Sequence, residues 1–319
     1  MSISGFAPFY RGRNNFFKGR DTHVRQIIHQ LEEKHVVVVT GASGDGKSSL
    51  VYAGIVPNAK AGFFRAHYNN WLLADFRPER TPLNNLSNVL ATCFEMDVEL
   101  VKEELELGFS SLVDLYKSTP FYIDTQADSW KNASENEQKL RKSKAANLFI
   151  LADQFEEFFT NSENFIQSNP SDESYTTVNL LLETARIAYE EKLPIYVVLT
   201  MRSDFISQCV AFKGLPETIG FSQFFIPRLK RHELQQVIEE PAILSGGTIS
   251  KRLTEILINE LHDGFDRLPV LQHALNRLWL EARNGEEVLD LMHLAKLGGL
   301  DSLYLSDTEQ MQFKNWLSQ

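Results

Sequence analysis

The chain has 319 residues, 43% of them hydrophobic and 23% charged, which is the make-up of a globular protein large enough for two or three domains. Its formal net charge of -10 argues against broad contact with nucleic acid, while leaving room for a local basic patch. No apolar run reaches the length of a membrane span, and the first residues lack the basic-then-apolar order of a secretory signal. The two cysteines, Cys93 and Cys209, lie far apart and form no metal motif, so a reducing, cytoplasmic setting is expected.

In chain order, residues 1–20 form an N-terminal segment that runs into FFKGRD at 16–21. A helix is predicted from Asp21 or Thr22, because Val24, Ile27, Ile28 and Leu31 recur at helical spacing on one face. The β-branched run 36–40 reads as a buried parallel strand, followed by GASGDGKS at 41–48 and a helix through 49–53. Residues 71–76 read as a second strand stopped by Arg77 and Pro78, and Leu83, Leu86, Leu90 and Phe94 mark the next helix. The pattern weakens from 97 to 147, with an acidic helix near 101–107 and a polar stretch at 124–144 expected as a flexible excursion or surface helix. Further strands are predicted at 148–152, ending at Asp153, at 195–200, ending at Met201 and Arg202, and at 224–226. With a helix at 177–191 between the first two, this alternation predicts an α/β fold of three layers around a parallel sheet. After residue 228 the periodicity is helical, with apolar faces at Leu234, Val237 and Ile238, at Leu253, Ile256, Leu257 and Leu261, and at Leu271, Ala274, Leu275 and Leu278.

The segment GASGDGKS is a full match to the phosphate-loop pattern G-x-x-x-x-G-K-[ST], and it stands between a predicted strand and a predicted helix as that pattern requires. Gly41, Gly44 and Gly46 are expected to permit positive φ and close approach of backbone to phosphate. Successive N–H groups then face one concavity, and the helix adds the positive end of its dipole. Ser43, Asp45 and Ser49 complete the nucleotide-contacting set; Lys47 is expected on the β- and γ-phosphates and Ser48 on Mg2+. Asp153, at the end of its strand, is the natural second holder of Mg2+. Glu156 or Glu157 is expected to orient or deprotonate the attacking water. The competing explanation is that DQFEE merely opens a helix, where acids are favoured by the dipole. Arg202 closes its strand in the same relative place and is suited to sensing a γ-phosphate; a surface ion pair with Asp204 is its plainer alternative. Three features are given plain readings: His273 as a packed core histidine, Trp279 as a core anchor, and the basic run 139–144 as a solvated helix face.

Together, FFKGRD, GASGDGKSSL, LADQFEEFFT and LTMRSDF, with the stretch 234–242 and the stretch LPVLQHALNRLW at 268–279, resemble the novel STAND NTPases of bacteria. These are signal-transduction ATPases related to NACHT and AAA+ proteins, and the resemblance covers roughly residues 10 to 300. It implies a P-loop nucleotide-binding domain at 21–230, a helical domain at 231–284 and the start of a winged-helix-like segment at 285–319, near Leu297 and Gly298. It implies further that Arg20 lies near the nucleotide and that Pro269 helps to clamp the base. Asp153 takes the place of the metal aspartate and Arg202 that of the sensor arginine.

The expected activity is that of a Mg2+-dependent ATPase, slow in turnover, that uses ATP and ADP as the two positions of a switch. Self-association is expected, with effector and sensor supplied by domains or chains not visible here, and neither a membrane nor nucleic acid as a partner. Two other functions fit less of the sequence: a continuously cycling AAA+-like ATPase acting on DNA or protein, and a scaffold that holds nucleotide without hydrolysing it.

Overall fold

A computed structural model describes residues 16–167, 169–261 and 267–298. The chain divides into two compact units. One comprises His23–Ala42 and Ile55–Ile226; the other takes Ser43–Gly54 and the chain from Pro227 onward, with the residues before His23.

The first unit is built on a five-stranded sheet. Helix α1 (Asp21–Lys34) precedes β1 (Val36–Gly41), and β2 (Asn70–Phe76) is followed by α2 (Pro82–Phe94), α3 (Val98–Glu106) and α4 (Ser111–Ser118). Then come β3 (Ala146–Ala152), α5 (Asp172–Glu191), β4 (Ile195–Arg202) and β5 (Gln223–Phe225). All strand pairings in this sheet are parallel and the order is β2-β3-β4-β1-β5. Parallel strands covered on both faces read as unbroken apolar runs, and β1 and β3 are accordingly buried at every position. Period-two alternation assigns their side chains. Val36, Val38, Leu148, Ile150, Val197 and Leu199 join Leu86 and Leu90 of α2 and Leu181 of α5 in one core. Phe149 and Tyr196 point the other way, into an aromatic group with Phe64 and Trp71, where the rings of Phe64 and Tyr196 are 4.7 Å apart and those of Trp71 and Phe149 are 6.3 Å apart. The predicted face of α1 is buried as expected, through Val24, Ile27, Ile28 and Leu31.

The polar stretch before β3 forms a surface helix, Glu135–Lys144, opened by a capping box between Ser134 and Glu137. Its basic residues are exposed, and Lys142 lies over the Trp130 ring at 5.7 Å. Among the described residues no helix is long and apolar enough to cross a membrane.

In the second unit, α6 (Arg231–Leu244), α7 (Lys251–Glu260), α8 (Arg267–Glu281) and α9 (Leu291–Lys296) contribute to one apolar cluster. Trp279 anchors it at 2% exposure. A Cβ on Gly285 would stand 2.3 Å from its ring and one on Gly247 2.7 Å, so two backbone segments close directly on the indole. Leu289, Leu291 and Leu294 continue the same cluster beyond the third helix. His273 is exposed, contrary to its reading as a core histidine. It falls two residues after Leu271, on the side of α8 opposite Leu271, Leu275 and Leu278, which hold the buried face. Most of the expected winged-helix segment lies outside the described residues.

Candidate functional site

The strand conformation of β1 continues through Gly41, which pairs with Arg202 in the ladder. Gly41 therefore does not take the positive φ expected of it; Gly44 and Gly46 do, at 75° and 83°. Both are in the left-handed region that costs an L side chain energy and glycine none. Lys47–Ser49 opens the helix, and Leu50–Ile55 continues it as a π-helical turn before Val56–Lys60. Gly46 is the residue before this helix and has no side chain with which to cap its start. A backbone cradle of this shape, with a helix dipole behind it, suits a phosphate. Ser43, Asp45, Lys47, Ser48 and Ser49 are all half-buried along it.

Arg20 approaches this loop from the N-terminal segment. It is 5% exposed, and its guanidinium donates to the Pro227 carbonyl at 2.6 Å and to the Asp45 carbonyl at 3.3 Å. Gly19 sits beside it at φ 75°, where a Cβ would come within 2.6 Å of the Glu233 carbonyl oxygen on α6. Pro269 is exposed near the start of α8.

The remaining candidate residues lie at strand ends of the first unit. Asp153 follows β3 directly and is fully buried. Its Oδ1 accepts from the Thr200 hydroxyl at 2.6 Å, and its Oδ2 lies 3.5 Å from Arg77 Nη2. Thr200 in turn accepts from the Gln154 N–H at 3.0 Å. Gln154 is left-handed at φ 57°, a conformation uncommon outside glycine, and the two acids beyond it make different contacts. Glu156 accepts from the Arg202 N–H at 3.2 Å, at the rung where β4 meets Gly41. Glu157 accepts from the Glu79 N–H at 2.9 Å, beyond the end of β2. Loss of solvent raises the Glu157 carboxyl above its ordinary range, against the lowering influence of the Glu79 N–H and Arg77.

Arg202 makes the plainer contact foreseen for it: Nη2 donates to Asp204 at 2.6 Å, and the guanidinium lies 5.4 Å from the centre of the Phe205 ring. Its Nε is buried and has no hydrogen-bond partner among the described residues. Sequence reasoning missed Arg77, Thr200 and Gln154. Arg77 carried the one usable signal, a cation immediately after a predicted parallel strand.

The donor set suits Mg2+. A buried carboxylate and a serine hydroxyl are hard oxygen ligands, and Mg2+ commonly takes one or two protein groups with phosphate oxygens and water. Among the described residues no three His, Cys, Asp or Glu side chains gather into a metal cage, and that mode of binding requires none.

The family described as novel STAND NTPase 1 matches residues 4–312. No curated protein matches the chain. Among solved structures it is similar to the Aeropyrum pernix ORC2 protein in its ADPNP–ADP complexes, at 14% identity and a TM-score of 0.59, over 95% of this chain and 74% of that one. It is also similar to Drosophila ORC bound to DNA, at 13% identity and a TM-score of 0.54, over 92% and 63% of the two chains. Cdc6p from Pyrobaculum aerophilum matches at 11% identity and a TM-score of 0.53, over 93% and 70%. At such identities these likenesses concern the fold alone, an α/β fold on a parallel sheet followed by helices. The family match runs through the strand and loop that carry GASGDGKS and on to the last helices, so the chain belongs to the novel STAND NTPase 1 family of P-loop NTPases.

Proposed function

We propose that the protein is a Mg2+-dependent ATP-binding switch, slow in hydrolysis, whose nucleotide state governs self-association and signalling to an effector. The observation that carries this reading is the meeting of β1, β3 and β4 at one sheet edge. There Gly41 and Arg202 share a rung, Glu156 accepts from the Arg202 N–H, and Asp153 is tied to Thr200 two residues earlier on β4. Ligands of open parallel sheets bind at the carboxyl ends of the strands, which is this edge.

In this reading the loop residues Gly41, Ser43, Gly44, Asp45, Gly46 and Ser49 hold phosphate, with Lys47 on the β- and γ-positions. Arg20 fixes the loop through the Asp45 carbonyl, and Pro269 supports the base. Ser48 and Asp153 hold Mg2+, which when bound neutralises charge on the phosphate oxygens. Arg202 offers its unpartnered Nε to the γ-phosphate, while Asp204 steadies the guanidinium. Glu156 is assigned to the attacking water, because its carboxylate stands at the β1–β4 rung. Glu157 is directed toward Glu79 and has a structural part. A ligand shifts a conformational equilibrium only by its differential affinity for the two forms. ATP differs from ADP by the γ-phosphate and its metal contacts, so Lys47, Ser48, Asp153 and Arg202 are the groups able to bias the switch.

The test is the nucleotide content of the purified protein, released by denaturation and resolved by chromatography, followed by light scattering with ADP and with ATP. Near-stoichiometric ADP and an ATP-dependent gain in mass are expected. An empty site with rapid steady turnover would move the protein to the continuously cycling AAA+ ATPases. Nucleotide held without hydrolysis, in wild type and Glu156→Gln alike, would make it a scaffold.

A further inference from the structure

Asp153 is fully buried, and a buried carboxylate is costly unless charge or hydrogen bonds balance it. The balancing cation is delivered by strand register. Phe76 pairs with Ala152 in the β2–β3 ladder, the Asp153 N–H donates to the Phe76 carbonyl at 2.9 Å, and the next residue on β2's side is Arg77. Its Nη2 stands 3.5 Å from Asp153 Oδ2. The Gln154 amide satisfies both neighbours in one orientation, accepting from Arg77 Nη2 at 3.2 Å and donating to Glu157 Oε1 at 2.9 Å. The backbone of Arg77 is pinned, since Asn85 Nδ2 donates to the Arg77 and Pro78 carbonyls, each at 3.1 Å. The side chain is not pinned in the same way: it is 48% exposed against 0% for Asp153. A long, half-solvated cation on a fixed backbone can leave a carboxylate that cannot itself move to water.

We propose that Arg77 is a resident counter-cation for Asp153 and competes with Mg2+ for that carboxylate, so that it sets the Mg2+ concentration at which nucleotide is bound tightly. The proposal rests on the reading of Asp153 as a metal-holding group. Two cations on one carboxylate repel each other, so a guanidinium that stays weakens the divalent ion, and one that withdraws does so at the cost of its own pairing. Arg77 is thus a positioning residue whose effect appears in binding before any hydrolysis occurs.

The test uses the full chain stripped of nucleotide. ADP is titrated by calorimetry at a series of MgCl2 concentrations, and in EDTA, for wild type, Arg77→Gln and Arg77→Lys. For Arg77→Gln the MgCl2 midpoint should fall about two- to fivefold, the scale of one half-exposed charge contact, with ADP affinity in EDTA unchanged. Arg77→Lys keeps the charge without the planar fork and should fall between the two proteins. A midpoint that stays in place or rises in Arg77→Gln overturns the proposal, because Arg77 would then be neutral toward the ion or would help to hold it. If Arg77→Gln loses its cooperative melt, the Arg77→Lys midpoint alone decides, a fall supporting the proposal and no fall overturning it. A wild type whose ADP affinity ignores MgCl2 removes the metal reading of Asp153 and this inference with it. That failure shows in the wild-type curve itself, and so is distinct from a failure confined to Arg77.

Discussion

The loop at 41–48 is shaped by backbone, with Gly44 and Gly46 at φ 75° and 83° and a glycine at the cap of the helix that follows. The edge after β3 is shaped by side-chain contacts to groups distant in sequence: Asp153 to Thr200 and Arg77, Glu156 to the Arg202 N–H and Glu157 to the Glu79 N–H. A backbone device is local, so its sequence signature is compact and its weak point is loss of a glycine. A side-chain device is distributed, so its parts are scattered in sequence and a single change is felt by partners on neighbouring strands.

The sharpest way to break this comparison is at the two adjacent acids. Glu156→Gln should lower phosphate release about 10^2- to 10^4-fold, the usual worth of a general base, with ADP affinity kept within about twofold. If Glu157→Gln abolished turnover and Glu156→Gln left it intact, the assignment made from the Arg202 N–H contact would be wrong. Next in size is Lys47→Ala, which removes charge-assisted bonds to phosphate and should weaken ATP about 100-fold by calorimetry. Unchanged ATP binding in that variant would sink the proposed nucleotide site. Gly46→Ala probes the backbone device alone, because a Cβ there meets no atom within 4 Å and only the φ of 83° resists it. A cost of about 1 kcal/mol is expected, felt as an approximately fivefold loss of ADP affinity, and Gly46→Asn should recover part of it.

The smallest effect is the pH dependence of Glu157, whose carboxyl is raised by loss of solvent. An acid with a native pKa above its unfolded value favours the fold most when protonated. That contribution is complete at acid pH and is lost as pH rises through the raised native value. Glu157→Gln keeps an oxygen for the Glu79 N–H and cannot ionise. Its melting temperature relative to wild type should therefore climb as pH passes through the region just above the ordinary carboxylate range, and level off beyond it. A difference that stays flat with pH would show that Glu157 is not displaced from its usual range.

All five strands of the sheet were readable, because each is a short apolar run, and those of β3 and β4 stop at a charged residue, Asp153 and Arg202. Their order was not, since nothing in local periodicity says that β4 inserts between β1 and β3. The same limit hid Arg77, whose meaning comes from the register of Phe76 with Ala152. Glu156 and Glu157 could not be separated in sequence, because what distinguishes them is their partners, the Arg202 and Glu79 N–H groups, which are distant along the chain. The reading of His273 failed for a nearer reason: Leu271, Ala274 and Leu275 surround it in sequence, but its own position on the helix turns outward.

The place of β4 also has a consequence for how the protein comes into being. Val36 of β1 finds its partner in Val197 and Leu148 of β3 finds its partner in Ile195, so the strand that joins them is synthesised after both. Such distant pairings close slowly, because the long intervening chain must be brought together before any ladder rewards it. A nascent chain released before Ile195 would carry GASGDGKS and Asp153 in full yet lack the strand that joins β1 to β3. The ability to hold nucleotide is then acquired late in synthesis, which makes bound nucleotide a natural signal that the sheet has been completed.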